Sequence, residues 1–273
     1  MKKSILAILI MMGLSIPTYA SISVSPTRIE MDANKVRNNY ATCAVEVKGD
    51  AKVPMRFKAY AGYFEITDQA GMEIKKSSDN PHDISKKVRF VPSEFTVPAG
   101  KTQKLRINVA NIKSLPEGES RAVLFIEDVN VKEIDVPNNM GIGAQLILKT
   151  RVGVPIYVDK GKYVKQAEVE YFNIVKGKDG QYSEVKLVST GNCRVRYGGR
   201  FQIIKGKKLI DEYPIDGKVV GNNNFYVAKQ KIVTDKIKEP GDYTLRMILD
   251  YQNEDNNKKI IKKDAILKIT GEI

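Results

Sequence analysis

The stretch FVPSEFTVPAGKTQKLRINV, Phe90 to Val109, shows the period on which most of the chain is written. Phe95 and Val97 alternate with polar residues, and Leu105, Ile107 and Val109 do the same beyond a Pro98-Ala99-Gly100-Lys101 turn. A two-residue period broken by Pro and Gly predicts a β-hairpin with a polar tip. Gly100-Lys101-Thr102 is also the tail of a phosphate-binding loop. That loop needs another glycine five positions before Gly100, so that backbone N–H groups can curl around phosphate. Phe95 stands there, and the nucleotide reading fails.

Outward from this stretch nearly every segment reads as strand. Tyr40–Lys48, Met55–Ile66, Ala122–Val129 and Leu146–Val158 are rich in Val, Ile, Leu, Tyr and Phe with alternating polarity. Glu168–Val175, Glu184–Ser189, Arg200–Ile204, Tyr243–Tyr251 and Ile260–Ile269 repeat the pattern. Turn clusters such as Asp68-Gln69-Ala70-Gly71 and Asn253-Glu254-Asp255-Asn256-Asn257 separate them, and no helical period is sustained. Short strands punctuated this regularly predict an all-β chain of sandwiches. The length suits two domains, with the change near Asp159-Lys160-Gly161-Lys162.

The first residues carry an address. Lys2 and Lys3 precede an apolar run from Ile5 to Ile16, and Thr18-Tyr19-Ala20 offers small residues to a signal peptidase. Residues 1–20 read as a secretory signal peptide, because the run is short of the roughly 20 apolar residues that span a bilayer. The expected mature chain, 21–273, is exported and has no integral membrane segment. Its formal charge falls from +13 to +11 once Lys2 and Lys3 are removed. The positive charge is spread along the chain without a lysine and arginine tract of nucleic-acid type. It favours acidic partners or a membrane surface, and nucleic acid is not an expected target of an exported protein.

Catalytic chemistry is not legible. The single histidine, His82, stands beside aspartates in SSDNPHDISKK and reads as a solvated loop residue, since zinc sites use three or four ligands. Gly118-Glu119-Ser120-Arg121-Ala122 only approximates a nucleophile elbow, and no second histidine offers a base. No enzyme, metal or cofactor is expected. Cys43 alternates with Ala41, Val45 and Val47 on a core face, and Cys193 lies far along the chain. Buried free thiols fit both better than an interdomain disulfide.

One strand stands apart. In AQLILKTRVGVPIYV, Ala144, Leu146, Leu148, Thr150, Val152, Val154 and Ile156 share a face, preceded by the loose segment Lys132–Gly143. Periodicity favours an ordinary sandwich strand here; a glycine-containing approach also suits an exposed edge.

Four blocks now resemble one family, the periplasmic pilus-assembly chaperones of the chaperone–usher pathway. They are SISVSPTRIEMD, FVPSEFTVPAGKTQKLRI, SLPEGESRAVLFIEDV and LILKTRVGVPIYV, in order along the chain. LVSTGNCRVRYGG and EPGDYTLRMILDY match more loosely. The resemblance implies two immunoglobulin-like β-sandwich domains set at an angle, 21–158 with a donor strand and 159–273. It implies a periplasmic protein whose partners are pilus or fimbrial subunits and an outer-membrane usher. It turns the ambiguous strand into a donor of apolar side chains: chiefly Leu146 and Leu148, with Ala144, Thr150, Val152 and Val154 on the same face. It places an anchor for the subunit's C-terminal carboxylate at Arg28. The lysine expected as its companion aligns with Gly153, so Arg151 is the substitute, and Arg151-Val152-Gly153-Val154-Pro155 is closer to the archaic branch. The competing reading is a structural surface or pilus component built of immunoglobulin-like modules.

Overall fold

A computed structural model describes residues 22–75, 79–130, 132–136 and 144–270. The expected signal peptide, 1–20, lies outside the described residues. Twelve strands make up the first part: β1 Ser23–Ser25, β2 Ile29–Asp32, β3 Tyr40–Lys48, β4 Met55–Ile66, β5 Met72–Lys75, β6 Val88–Val91, β7 Glu94–Val97, β8 Thr102–Ala110, β9 Gly118–Asp128, β10 Lys132–Val136, β11 Ala144–Leu148 and β12 Arg151–Lys160. Eight follow: β13 Ala167–Gly177, β14 Gly180–Ser189, β15 Val195–Lys205, β16 Lys208–Pro214, β17 Lys218–Val220, β18 Phe225–Lys231, β19 Gly241–Gln252 and β20 Lys258–Ile269.

These strands build two immunoglobulin-like β-sandwiches. In the first, a sheet of order β1-β3-β8-β6 faces one of order β2-β12-β9-β4-β5, with β7 also on β4. In the second, β13-β14-β18 faces β16-β15-β19-β20. Each pair encloses its own core. Val45, Phe57, Leu105, Ile107, Leu124 and Ile156 are fully buried in the first, and Leu245, Met247 and Leu267 in the second. A fully buried Leu, Ile or Phe contributes about 1.5–3 kcal/mol by apolar transfer, so the alternation that aims these side chains inward also holds the sheets together.

The opening stretch is corrected in one respect. β7 and β8 do not form a hairpin: β7 pairs with β4 in one sheet, whereas β8 pairs with β3 and β6 in the other. The Pro98–Lys101 turn arches between sheets, with Gly100 at φ +67° and its N–H donating to Asp50 O. The faces read correctly, since Phe95, Val97, Leu105, Ile107 and Val109 all enter one core. A two-residue period fixes which side chains point inward, but not which strand supplies the hydrogen bonds.

Candidate functional site: a one-sided ribbon and a basic cleft

The long amphipathic strand is in fact two strands, β11 and β12, separated at Lys149 and Thr150. β12 lies inside the sandwich between β9 and β2. β11 pairs with β10, and the pair forms a separate two-stranded ribbon. Part of the segment expected to be loose, Lys132–Val136, is therefore strand. The register breaks between the two halves. Asp128 N still donates to Thr150 O, while Val129 N turns to Arg56 O and Asn130 N to the Asp128 carboxylate.

This division sorts the expected donor residues. Val154 is 1% exposed in the first core and Val152 packs half-buried against it. Val154 is thus a core residue, not a donor, because its pocket is already its own sandwich. Thr150 sits half-buried at the root of the ribbon. Ala144, Leu146 and Leu148 lie on β11, and Ile147, opposite to them in the alternation, is exposed.

The two expected anchor arginines have different settings. Arg28 donates through Nε to Glu30 Oε1 at 3.1 Å and lines a cavity of about 490 Å³ at the junction of the sandwiches. Arg151 lies at the other end of β12, on the same face as Tyr157, where its guanidinium stacks 4.3 Å from the Phe125 ring centre. Its Nη1 donates to Tyr60 Oη at 3.1 Å, and Tyr60 donates to Glu127 Oε2 at 2.7 Å. Lys149 holds the other oxygen of Glu127 at 2.6 Å. Burial offsets little here: hydrogen bonds from Lys149 and Tyr60 hold the Glu127 carboxyl below its ordinary value. Arg28 and Arg151 share no partner, and Arg151 does not line the cavity.

Gly153 stands where the lysine is expected, and a side chain there would sit close against its neighbours. It faces Phe125 across the ladder, and a Cβ would meet Val123 Cγ2 at 3.3 Å and Phe125 Cε1 at 3.5 Å. The same ring presses on Gly62 from the other side. Phe125 thus occupies the space between two glycines and leaves its face to Arg151.

The cavity also holds residues that the sequence reading did not select. Arg194, from the turn before β15, is 3% exposed and ties the two sandwiches together. Its backbone N donates to Glu119 Oε2 at 3.0 Å, and Nη1 to the same oxygen at 2.6 Å. Nη1 also reaches Asp159 Oδ1 at 3.3 Å, and Nη2 lies 3.0 Å from Glu30 Oε1. Glu119 and Asp159 are themselves opposite one another on β9 and β12. Burial pushes the Glu30 carboxyl up, but Arg194 with Arg28 outweighs it and holds the group below its ordinary value. Arg196, two residues on, is exposed at the cavity wall. The signal for both was in CRVRYGG, where arginines alternate with Cys193, Val195 and Tyr197 and so fall on the face away from the core.

Glu119, Asp159 and Cys193 place a ligand atom each within 4.8 Å, all buried. The set does not fit a metal. Arg194 and Lys165 already neutralise the carboxylates. Burial, then Asp159 and Glu119, push the Cys193 thiol well above its ordinary value, so it stays protonated where a metal needs thiolate. His82 is half-buried rather than solvated, donating from Nδ1 to Glu119 O at 2.8 Å. Ser120 is buried within β9, Gly118–Asp128, so the elbow-like pentad is plain strand.

Fold and cleft together define a class: two sandwiches in series, a strand ribbon paired on one side, and a cationic cavity at the junction. No protein-family model matches the chain, and no curated protein matches it. Solved structures do. The YadV chaperone is 12% identical, with 90% of this chain and 100% of that chain covered, at a TM-score of 0.47. The class 5 fimbriae chaperone CfaA is 11% identical, with 92% and 100% covered, at 0.44. A chain of the CsuC–CsuE chaperone–tip adhesion subunit pre-assembly complex, from the archaic chaperone–usher Csu pili of Acinetobacter baumannii, is 12% identical, with 89% and 98% covered, at 0.44.

Proposed function

We propose that the chain is a periplasmic chaperone that caps pilus or fimbrial subunits by donor-strand complementation and delivers them to an outer-membrane usher. The observation that carries this reading is the pairing of β11 with β10 alone among the described strands. A strand with one free edge can add to another protein's sheet. Backbone hydrogen bonds then supply affinity, and alternate side chains fill the partner's pockets.

Ala144, Leu146 and Leu148 are the donors in this account, with Thr150 at the point where the ribbon leaves the sandwich. Each leucine buried in the subunit would contribute about 1.5–3 kcal/mol. A subunit lacking its last strand exposes an unpaired edge beside an apolar groove, which is an aggregation hazard until it is covered. Capping needs no ATP, because folding of the subunit onto the donor strand supplies the drive. The cleft grips the subunit's C-terminal carboxylate, with Arg28 as an anchor. Domains at 21–158 and 159–273 belong to the same reading.

The test is a tagged pull-down from the native periplasm, run with wild type and with a Leu146→Asp, Leu148→Asp double variant. A small β-rich exported protein held only by the wild type supports donor-strand capping. Equal capture by both versions favours a structural surface module instead.

A further inference from the structure

We propose that the carboxylate in the cleft is gripped by Arg28 of the first sandwich together with Arg196 of the second, so that a bound client spans both sandwiches. This rests on reading the cleft as a carboxylate site and names the second cation in it.

Five cations line the cavity: Arg28, Lys165, Arg194, Arg196 and Lys258. Four are already spoken for. Lys165 holds Asp159 at 2.9 Å and Lys258 holds Asp250 at 3.1 Å. Arg194 is shared among Glu119, Asp159 and Glu30, and Arg28 engages Glu30 through Nε. Arg196 makes no hydrogen bond or ion pair among the described residues. Although its side chain reaches solvent, partial burial at the cavity wall and then Arg28 lower its guanidinium from the ordinary value, with Tyr157 and Glu30 opposing. Glu30, bonded to Arg28 and Arg194, offsets part of that repulsion, and a client carboxylate would add the second anion that the facing arginines Arg28 and Arg196 can share.

The alternative second cation, Arg151, is engaged with Tyr60 and Phe125 outside the cavity. Gly153 offers no side chain to the cavity. A carboxylate held by one planar guanidinium accepts two parallel hydrogen bonds; a second guanidinium fixes its direction as well. Here that direction would be set by residues from both sandwiches, so the approach of the client depends on the junction staying rigid.

The experiment uses the mature chain and two synthetic alternating Val–Thr peptides, identical except for a free C-terminal carboxylate or an amide. Wild type should bind the acid about tenfold or more tightly than the amide, the effect of one charge-assisted hydrogen bond. Arg196→Ala should cut the preference severalfold at an unchanged melting temperature, while Arg151→Ala keeps it whole. Arg196→Gln replaces the alanine variant if that one melts early. Undiminished preference in the Arg196 variants, with loss in Arg151→Ala, overturns the assignment and leaves the carboxylate reading standing. No preference in wild type, or no binding of either peptide, overturns both.

Discussion

The Arg194 guanidinium carbon lies 3.6 Å from the centre of the Tyr157 ring, seating a residue of the second sandwich on β12 of the first. A cation over an aromatic face is attracted to the ring's quadrupole. The same side chain also pairs with Glu119 and Asp159, so the junction is one connected polar network. Beside it lies an aromatic patch of Phe64, Phe125 and Tyr157, with Val219 of the second sandwich packed against it.

Breaking that network should be costly, because each partner is buried. Arg194→Ala leaves Glu119 without its nearest counter-charge and Asp159 with Lys165 alone, and removing one member of a buried pair costs about 3–5 kcal/mol. Chemical denaturation should show a loss of this size. The exposed pair Arg200–Glu212, deleted as a control, should change stability by at most about 1 kcal/mol.

The two halves of the long strand should respond oppositely to substitution. Ile156, fully buried on β12, should cost about 2–5 kcal/mol as Ile156→Ala. Ile147→Asp, on exposed β11, should stay within about 0.5 kcal/mol of wild type. Equal costs would mean that the ribbon is part of the sandwich.

Supplying the lysine that the chain lacks should harm it. Gly153→Lys brings a Cβ to 3.3 Å from Val123 Cγ2 and its chain against the Arg151–Phe125 stack, so stability should fall by at most about 1 kcal/mol. A lower melting temperature without stronger client capture is the expected result.

Acid should loosen the cleft through Glu30. Its folded carboxyl lies below the ordinary value of 4.5, so its contribution is present above that pH and is lost as pH falls through the lower folded value. Glu30→Gln should therefore flatten the fall in stability below about pH 4.5. An unchanged slope would contradict the coupling of Glu30 to Arg194.

Both cysteines are free, and burial pushes the Cys43 thiol up to about 11 and the Cys193 thiol higher still. A thiol reagent at neutral pH should label neither quickly in the folded protein and both in denaturant.

Much of this was legible in the sequence because alternation reports burial. Phe95, Val97, Leu105, Ile107 and Val109 alternate with polar residues in the sequence, and they line one core in the fold. The arch between β7 and β8 was not legible, since a hairpin and an arch share the same alternation and turn residues. Val154 was misplaced for a related reason: β11 and β12 form one unbroken pattern, and only the register break at Asp128 and Thr150 separates ribbon from core. The cleft was half legible. Arg28 stands near β2 in a recognisable block, whereas Arg194 and Arg196 reach the same cavity from far along the chain.

The most direct test of the account is amide hydrogen exchange across Ala144–Leu148, measured in the free chain and in the complex recovered from the periplasm. Pairing with β10 leaves one edge of β11 open, so some of its amides should exchange fast in the free chain and slow sharply once a client adds its strand. Unchanged exchange across β11 with a client bound would contradict donor-strand capping.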